Sequence, residues 1–91
     1  MLQGSDDAGV ETSQWEALRL RIGLLRERIR VCPRDLSTQS ELASILERVG
    51  SHDVALAMWR RVLRQDSNNL KAWEGIKRCR LRLAKVPVAE I

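Results

Sequence analysis

The sequence predicts an all-α domain of four antiparallel helices, on three observations. Apolar residues recur at steps of three and four along four separate segments. No segment alternates with the period of a strand, and no hairpin signal is present. The turn-like stretch Cys32-Pro33-Arg34-Asp35-Leu36 is answered 34 residues later by Asp66-Ser67-Asn68-Asn69-Leu70. Helical positions keep the same interval: Leu25 returns as Trp59, Ile29 as Leu63, and Leu42 as Ile76. A fixed period of this length marks stacked repeats, in which each unit buries its apolar face on the next.

Residues 1–13 are polar, with Gly4, Gly9 and acidic side chains, and are expected to form a disordered leader. The first helix follows. Trp15, Leu18, Ile22, Leu25 and Ile29 form its stripe, Ser13 is available as N-cap, and Pro33 stops it. The second is predicted from about Leu36 to Val49, with Leu42, Ile45, Leu46 and Val49 inward. Thr38 and Glu41 have capping-box spacing near its start, and Gly50 suits a left-handed C-cap. Ser51 can cap the third helix, where Asp53 suits the positive end of the helix dipole. Its stripe is Ala55, Met58, Trp59, Val62 and Leu63. Asn68 or Asn69 opens the fourth, which carries Leu70, Trp73, Ile76, Cys79 and Leu83 and should fade before Pro87. The helical domain is thus expected over residues 14–86, with a tail at 87–91. Short connections make chain neighbours antiparallel.

Ninety-one residues make one small domain, and 44% apolar with 31% charged residues is a globular composition. No uncharged stretch approaches the roughly 18–20 residues of a membrane span, and no signal-peptide pattern opens the chain. Cytoplasmic residence without membrane partners is the expectation. Cys32 and Cys79 lack metal or redox spacing, so both are expected to be reduced and structural. The three tryptophans are the only aromatic residues and are expected to anchor packing. Charge is uneven. Residues 1–13 carry Asp6, Asp7 and Glu11 with no cation, whereas residues 69–91 carry six cations against Glu74 and Glu90.

The middle of the chain resembles a tetratricopeptide repeat, from Leu36 to Asn69. Leu42-Ala43 stands at the family's large–small pair, Leu46 at its next buried site, and Gly50 at the end of the first helix. Ala55 takes the small place in the second helix, Trp59 the bulky aromatic one, Val62 the next small one, and Ser67 the usual proline. Leu70-Lys71-Ala72-Trp73 is similar to the opening of another repeat. The resemblance implies one full repeat between two half-repeats, stacked as α-hairpins in a short right-handed solenoid. The sequence departs from the pattern at Arg21 and Arg28, and again at Lys77 and Arg80. Each departure falls where the stacking neighbour is missing, so the outer helices are expected to be caps with a polar outer side.

The resemblance also implies a function: a non-enzymatic interaction module, adaptor or assembly subunit, holding a protein or peptide segment in the groove between its second and fourth helices. Ser37, Ser40, Ser44, Glu47 and Arg48 would line one wall, and Lys71, Glu74, Arg78 and Arg82 the other. Arg78 and Arg82, one turn apart, suit a carboxylate of an acidic partner. The Lys and Asn of carboxylate-clamping repeats are replaced by Ser40 and Ser44, which disfavours chaperone-tail binding.

The alternative is a basic helical domain associated with RNA or DNA, read from Lys77, Arg78, Arg80, Arg82 and Lys85 with Arg60, Arg61 and Arg64. Trp59 and Trp73 are expected to be buried, which leaves no aromatic face for bases. Leu20 and Leu24 lie off the first helix's stripe; if exposed, they mark an interaction patch, and self-association through the outer helices is a third expectation. The sequence offers no catalytic pair, phosphate loop, metal set or cofactor motif, and the lone His52 is expected to be an exposed turn residue.

Overall fold

The computed structural model describes the backbone of residues 2–90 and the side chains of residues 13–84. Four helices follow one another, α1 (Leu2–Val31), α2 (Leu36–Arg48), α3 (His52–Gln65) and α4 (Leu70–Glu90), with no strand among the described residues. Two helix ends differ from expectation. α1 continues back to Leu2, which makes Ser13 an interior residue and not a cap; no proline precedes it to stop the helix. α4 passes through Pro87 in its last turn, where the missing N–H forfeits one bond to the carbonyl four residues earlier and only one further turn has to follow. The side chains of residues 1–12 and 85–91, which hold most of the predicted leader and the whole predicted tail, lie outside the described residues.

The turns repeat bond for bond at the interval read from the sequence. Asp35 N–H donates to Cys32 O at 3.1 Å, and Asn69 N–H to Asp66 O at 3.1 Å. Asp35 caps α2 by accepting from Thr38 N–H at 3.2 Å, and Asn69 caps α4 by accepting from Ala72 N–H at 2.9 Å. Asp35 replaces the predicted Thr38–Glu41 box. Thr38 stands three residues into the helix and adds its hydroxyl to the Asp35 carboxylate at 2.7 Å, while Glu41 turns to Arg21 on α1. Gly50 has φ +88°, and Ser51 N–H donates to Leu46 O while Gly50 N–H donates to Glu47 O. That pair of bonds closes α2 and demands the left-handed glycine. Ser51 precedes α3 without a side-chain capping bond, and Asp53 lies in the first turn.

Each helix packs against the next in the chain, and α2 also meets α4, whereas among the described residues α1 touches neither α3 nor α4. The helices therefore stand in an open row of hairpins and do not close into a bundle. The shortest extent, 18 Å, corresponds to two helix layers. Leu25 and Ile29 of α1, Leu42, Ala43, Ile45 and Leu46 of α2, Ala55, Trp59 and Val62 of α3, and Ala72, Ile76 and Cys79 of α4 make one core. Small residues on facing helices let backbones approach and leave room for one large ring, Trp59, which is fully buried. Its indole lies against the Gly75 backbone, where a Cβ would overlap Nε1, Cε2 and Cδ1 of the ring.

The other aromatic expectations fail. Trp15 and Trp73 are 48% and 53% exposed. Trp73 donates through Nε1–H to Ser67 O at 3.1 Å, and no described helix covers its ring. Cys79 is in the core, but Cys32 is exposed at the end of α1 and has no packing role.

Gly75→Ala tests the ring-to-backbone packing. Alanine raises helix propensity by about 1 kcal/mol, but overpacking a filled core costs roughly 1–3 kcal/mol. Because Trp59 is enclosed, the overlap wins. The urea midpoint should fall, and a raised midpoint would contradict the packing.

Candidate interaction surfaces

Glu47 sits where α2, α3 and α4 meet. Its side chain is 13% exposed. Trp59 Nε1–H donates to Oε2 at 2.6 Å, and Arg78 donates through Nε to Oε1 at 2.9 Å and through Nη2 to Oε2 at 3.0 Å. A partly buried carboxylate with three charge-assisted or indole donors is stabilised in its ionised form. Burial pushes the Glu47 carboxyl up, but the Arg78 and Trp59 bonds and the Arg78 charge outweigh it and hold it below its usual value. The bond to Glu47 likewise raises the Arg78 guanidinium. Two residues expected to meet a partner are therefore turned on each other.

Four of the predicted groove residues come together. Glu47, Arg48, Arg78 and Arg82 line a cleft of about 360 Å³ with His52 and Leu81. Ser37, Ser40, Ser44 and Lys71 do not line it, and Glu74 lines a different cavity beside Trp73. His52 is half-buried, contrary to its expected exposure, and its Nδ1 has no hydrogen-bond partner. The tight Gly50 turn brings the start of α3 back against the end of α2, which places His52 at the cleft wall. Both His52 and Leu81 escaped the sequence reading. Leu81 carried a usable signal, since it lies one turn from Arg78 and off the core stripe.

A second cavity, of about 600 Å³, lies between α3 and α4. Leu63, Trp73, Ile76 and Leu81 give it apolar walls, and Arg60, Lys77, Arg80 and Glu74 stand around it. On α1, Leu20 and Leu24 are 70% and 63% exposed beside Glu16, Arg19 and Gly23. Both are exposed, so this helix carries apolar residues on two opposed faces.

The polar departures at the chain's two ends are solvent-facing. Arg21 pairs with Glu41 at 2.6 Å and Arg28 approaches Asp35 at 3.8 Å. The basic residues considered for nucleic acid are divided among cavities: Arg60, Lys77 and Arg80 beside Trp73, Arg78 and Arg82 at the cleft, and Arg61 near Pro33 and Leu36. Among the described residues no three His, Cys, Asp or Glu side chains cluster as a metal site. No described helix is long and apolar enough to cross a membrane.

A buried polar pair completes the frame and was not foreseen. Gln39, fully buried, donates from Nε2 to Pro33 O at 2.5 Å and accepts from Gln65 Nε2 at 2.9 Å. It ties the first turn to the end of α3, satisfying both ends of its amide.

Acid should unfold the protein partly through Glu47. Its folded carboxyl binds a proton less readily than the ordinary value of 4.5, so the unfolded state takes up protons first as pH falls. The stabilisation is complete above that value and is lost below it. Asp35 acts in the same direction from an ordinary value of 3.8, held down mainly by the Thr38 hydroxyl. Urea midpoints measured from neutral pH downward should fall for the wild type and fall less steeply for Glu47→Gln. Parallel curves would show that the Glu47 charge carries no stability.

No protein-family model, curated protein or solved structure matches the chain.

Proposed function

We propose that this chain is a non-enzymatic, tetratricopeptide-like interaction module that holds an acidic segment of a partner protein in the cleft between α2 and α4. The open row of helices and the repeated turn bonds support the repeat reading. One observation carries the binding reading. Arg48 and Arg82 are exposed on the cleft and have no carboxylate partner among the described residues, while Glu47 is already neutralised by Arg78. The cleft thus offers two uncommitted cations, an apolar wall at Leu81 and an imidazole with an unused nitrogen. A carboxylate of an extended segment is the complementary group. Arg78 positions the cleft through Glu47 and is not its main contact, which revises the weight given to it by the sequence.

A displayed peptide library panned on the protein tests this reading. Selected binders should carry carboxylates and lose about tenfold in affinity, roughly 1.4 kcal/mol, on Arg48→Glu with Arg82→Glu. Binders indifferent to that double substitution, or none at all, would remove the cleft reading.

One observation favours a second reading, a basic domain associated with RNA or DNA. Trp73 is exposed beside Arg60, Lys77 and Arg80, and so offers the stacking face that the sequence reading lacked. A labelled oligonucleotide should then bind at low salt and be released steeply as salt rises. No binding at low salt ends that reading.

A further inference from the structure

The cavity beside Trp73 has a counterpart one period earlier in the same chain, and there it is filled. Stepping back 34 residues takes Leu63 to Ile29, Trp73 to Gln39, Ile76 to Leu42, Lys77 to Ala43 and Arg80 to Leu46. All five earlier residues are buried. α3 packs on that α2 surface and places Ala55, Trp59 and Val62 in the common core. The contrast at one register position is direct: Gln39 is 0% exposed and Trp73 53%. The same surface is built twice, and its second copy stands uncovered among the described residues.

The second copy differs in charge. Where the covered surface has Ala43 and Leu46, the uncovered one has Lys77 and Arg80, with Arg60 opposite on α3. None of these three cations pairs with a carboxylate among the described residues, and Glu74 is the only anion lining the cavity. Its walls remain apolar, with Leu63, Trp73, Ile76 and Leu81. A surface shaped for a helix, apolar along its middle and cationic at its flanks, fits an amphipathic helix with acidic borders.

We propose that the α3–α4 cavity is a seat for an acidic amphipathic helix from another protein, which occupies the position that α3 holds one repeat earlier. The proposal rests on the repeat reading of the fold but not on the α2–α4 cleft. The internal precedent favours a helix over nucleic acid, because the filled copy of the surface is filled by a helix. A second copy of this chain is the poorer occupant: α1, which exposes Leu20 and Leu24, also carries Arg19, Arg21, Arg26, Arg28 and Arg30, and α4 brings the same cations as the seat itself.

The probe is a labelled synthetic peptide of roughly 18 residues, long enough to be helical when bound. It keeps the apolar spacing of α3, with Leu in place of Trp59 and glutamate in place of Arg60, Arg61 and Arg64. Anisotropy titration at low salt should show saturable binding to the full chain. Lys77→Glu with Arg80→Glu should weaken it at least about tenfold, and Trp73→Ala about fivefold. The same peptide with arginines restored should bind the charge-reversed protein better than the wild type. All three substituted side chains are exposed, so thermal melting checks that the fold is kept. Arg48→Glu with Arg82→Glu should leave peptide binding unchanged, which separates this seat from the cleft. The proposal is overturned by no binding, by equal binding of a scrambled peptide of identical composition, or by oligouridylate displacing the peptide at lower concentration. It is also overturned if sedimentation shows a dimer that Trp73→Ala dissociates.

Discussion

The Glu47 carboxylate accepts from the Trp59 indole on α3 and from both arms of the Arg78 fork on α4, so one side chain of α2 fixes three helices. The rest of the arrangement depends on that junction. Trp59 can enter the core only because Gly75 leaves the space for its ring, and its polar N–H can be buried only because Glu47 receives it. Glu47 stays ionised in its partly buried position with Arg78 reaching across from α4. Truncating a buried tryptophan typically costs about 3–5 kcal/mol, against roughly 5–15 kcal/mol for a whole domain. A domain of this size has few other anchors of comparable weight, since Trp15 and Trp73 are largely exposed.

The open order of the helices follows from which faces are apolar. Among the described residues α2 packs against all three other helices, α3 against α2 and α4, α4 against α3 and α2, and α1 against α2 alone. At the α1 end the arginines that break the repeat pattern reach the carboxylates of Glu41 on α2 and of its N-cap, Asp35. At the α4 end Lys77 and Arg80 find no such partner among the described residues, and Trp73 and Leu81 beside them stay exposed. The two ends are therefore not equivalent caps. One carries ion pairs of its own, although another face of it presents Leu20 and Leu24, and the other leaves an apolar cavity with cationic flanks beside Trp73.

Much of the frame was legible because local chemistry repeats. The turn at Asp66 copies the turn at Cys32, Asn69 caps as Asp35 does, and Gly50 adopts the left-handed conformation its place requires. The pairing of Glu47 with Arg78 was not legible, since an ion pair across 31 residues leaves no local pattern. The period supplies a signal after the fact: Arg78 stands one turn before Leu81, the counterpart of Glu47, and so faces it across α2 and α4. Trp73 was misjudged for a related reason. Residue type records what a position would bury if covered, and only tertiary order reveals whether a neighbour arrives. His52 entered the cleft through the geometry of the Gly50 turn, which spacing alone does not convey.

The central claim is that Trp59, Glu47 and Arg78 act as one unit holding α2, α3 and α4 together. A double-mutant cycle of Trp59→Phe with Glu47→Gln measures it most directly, because phenylalanine keeps most of the ring and removes only the donor. Groups joined in one buried network couple by about 0.5–3 kcal/mol. The account predicts coupling at about 1 kcal/mol or more, with each single substitution destabilising. Additive effects would mean that the indole and the carboxylate contribute independently, and the three-helix junction would lose its standing as the organising contact.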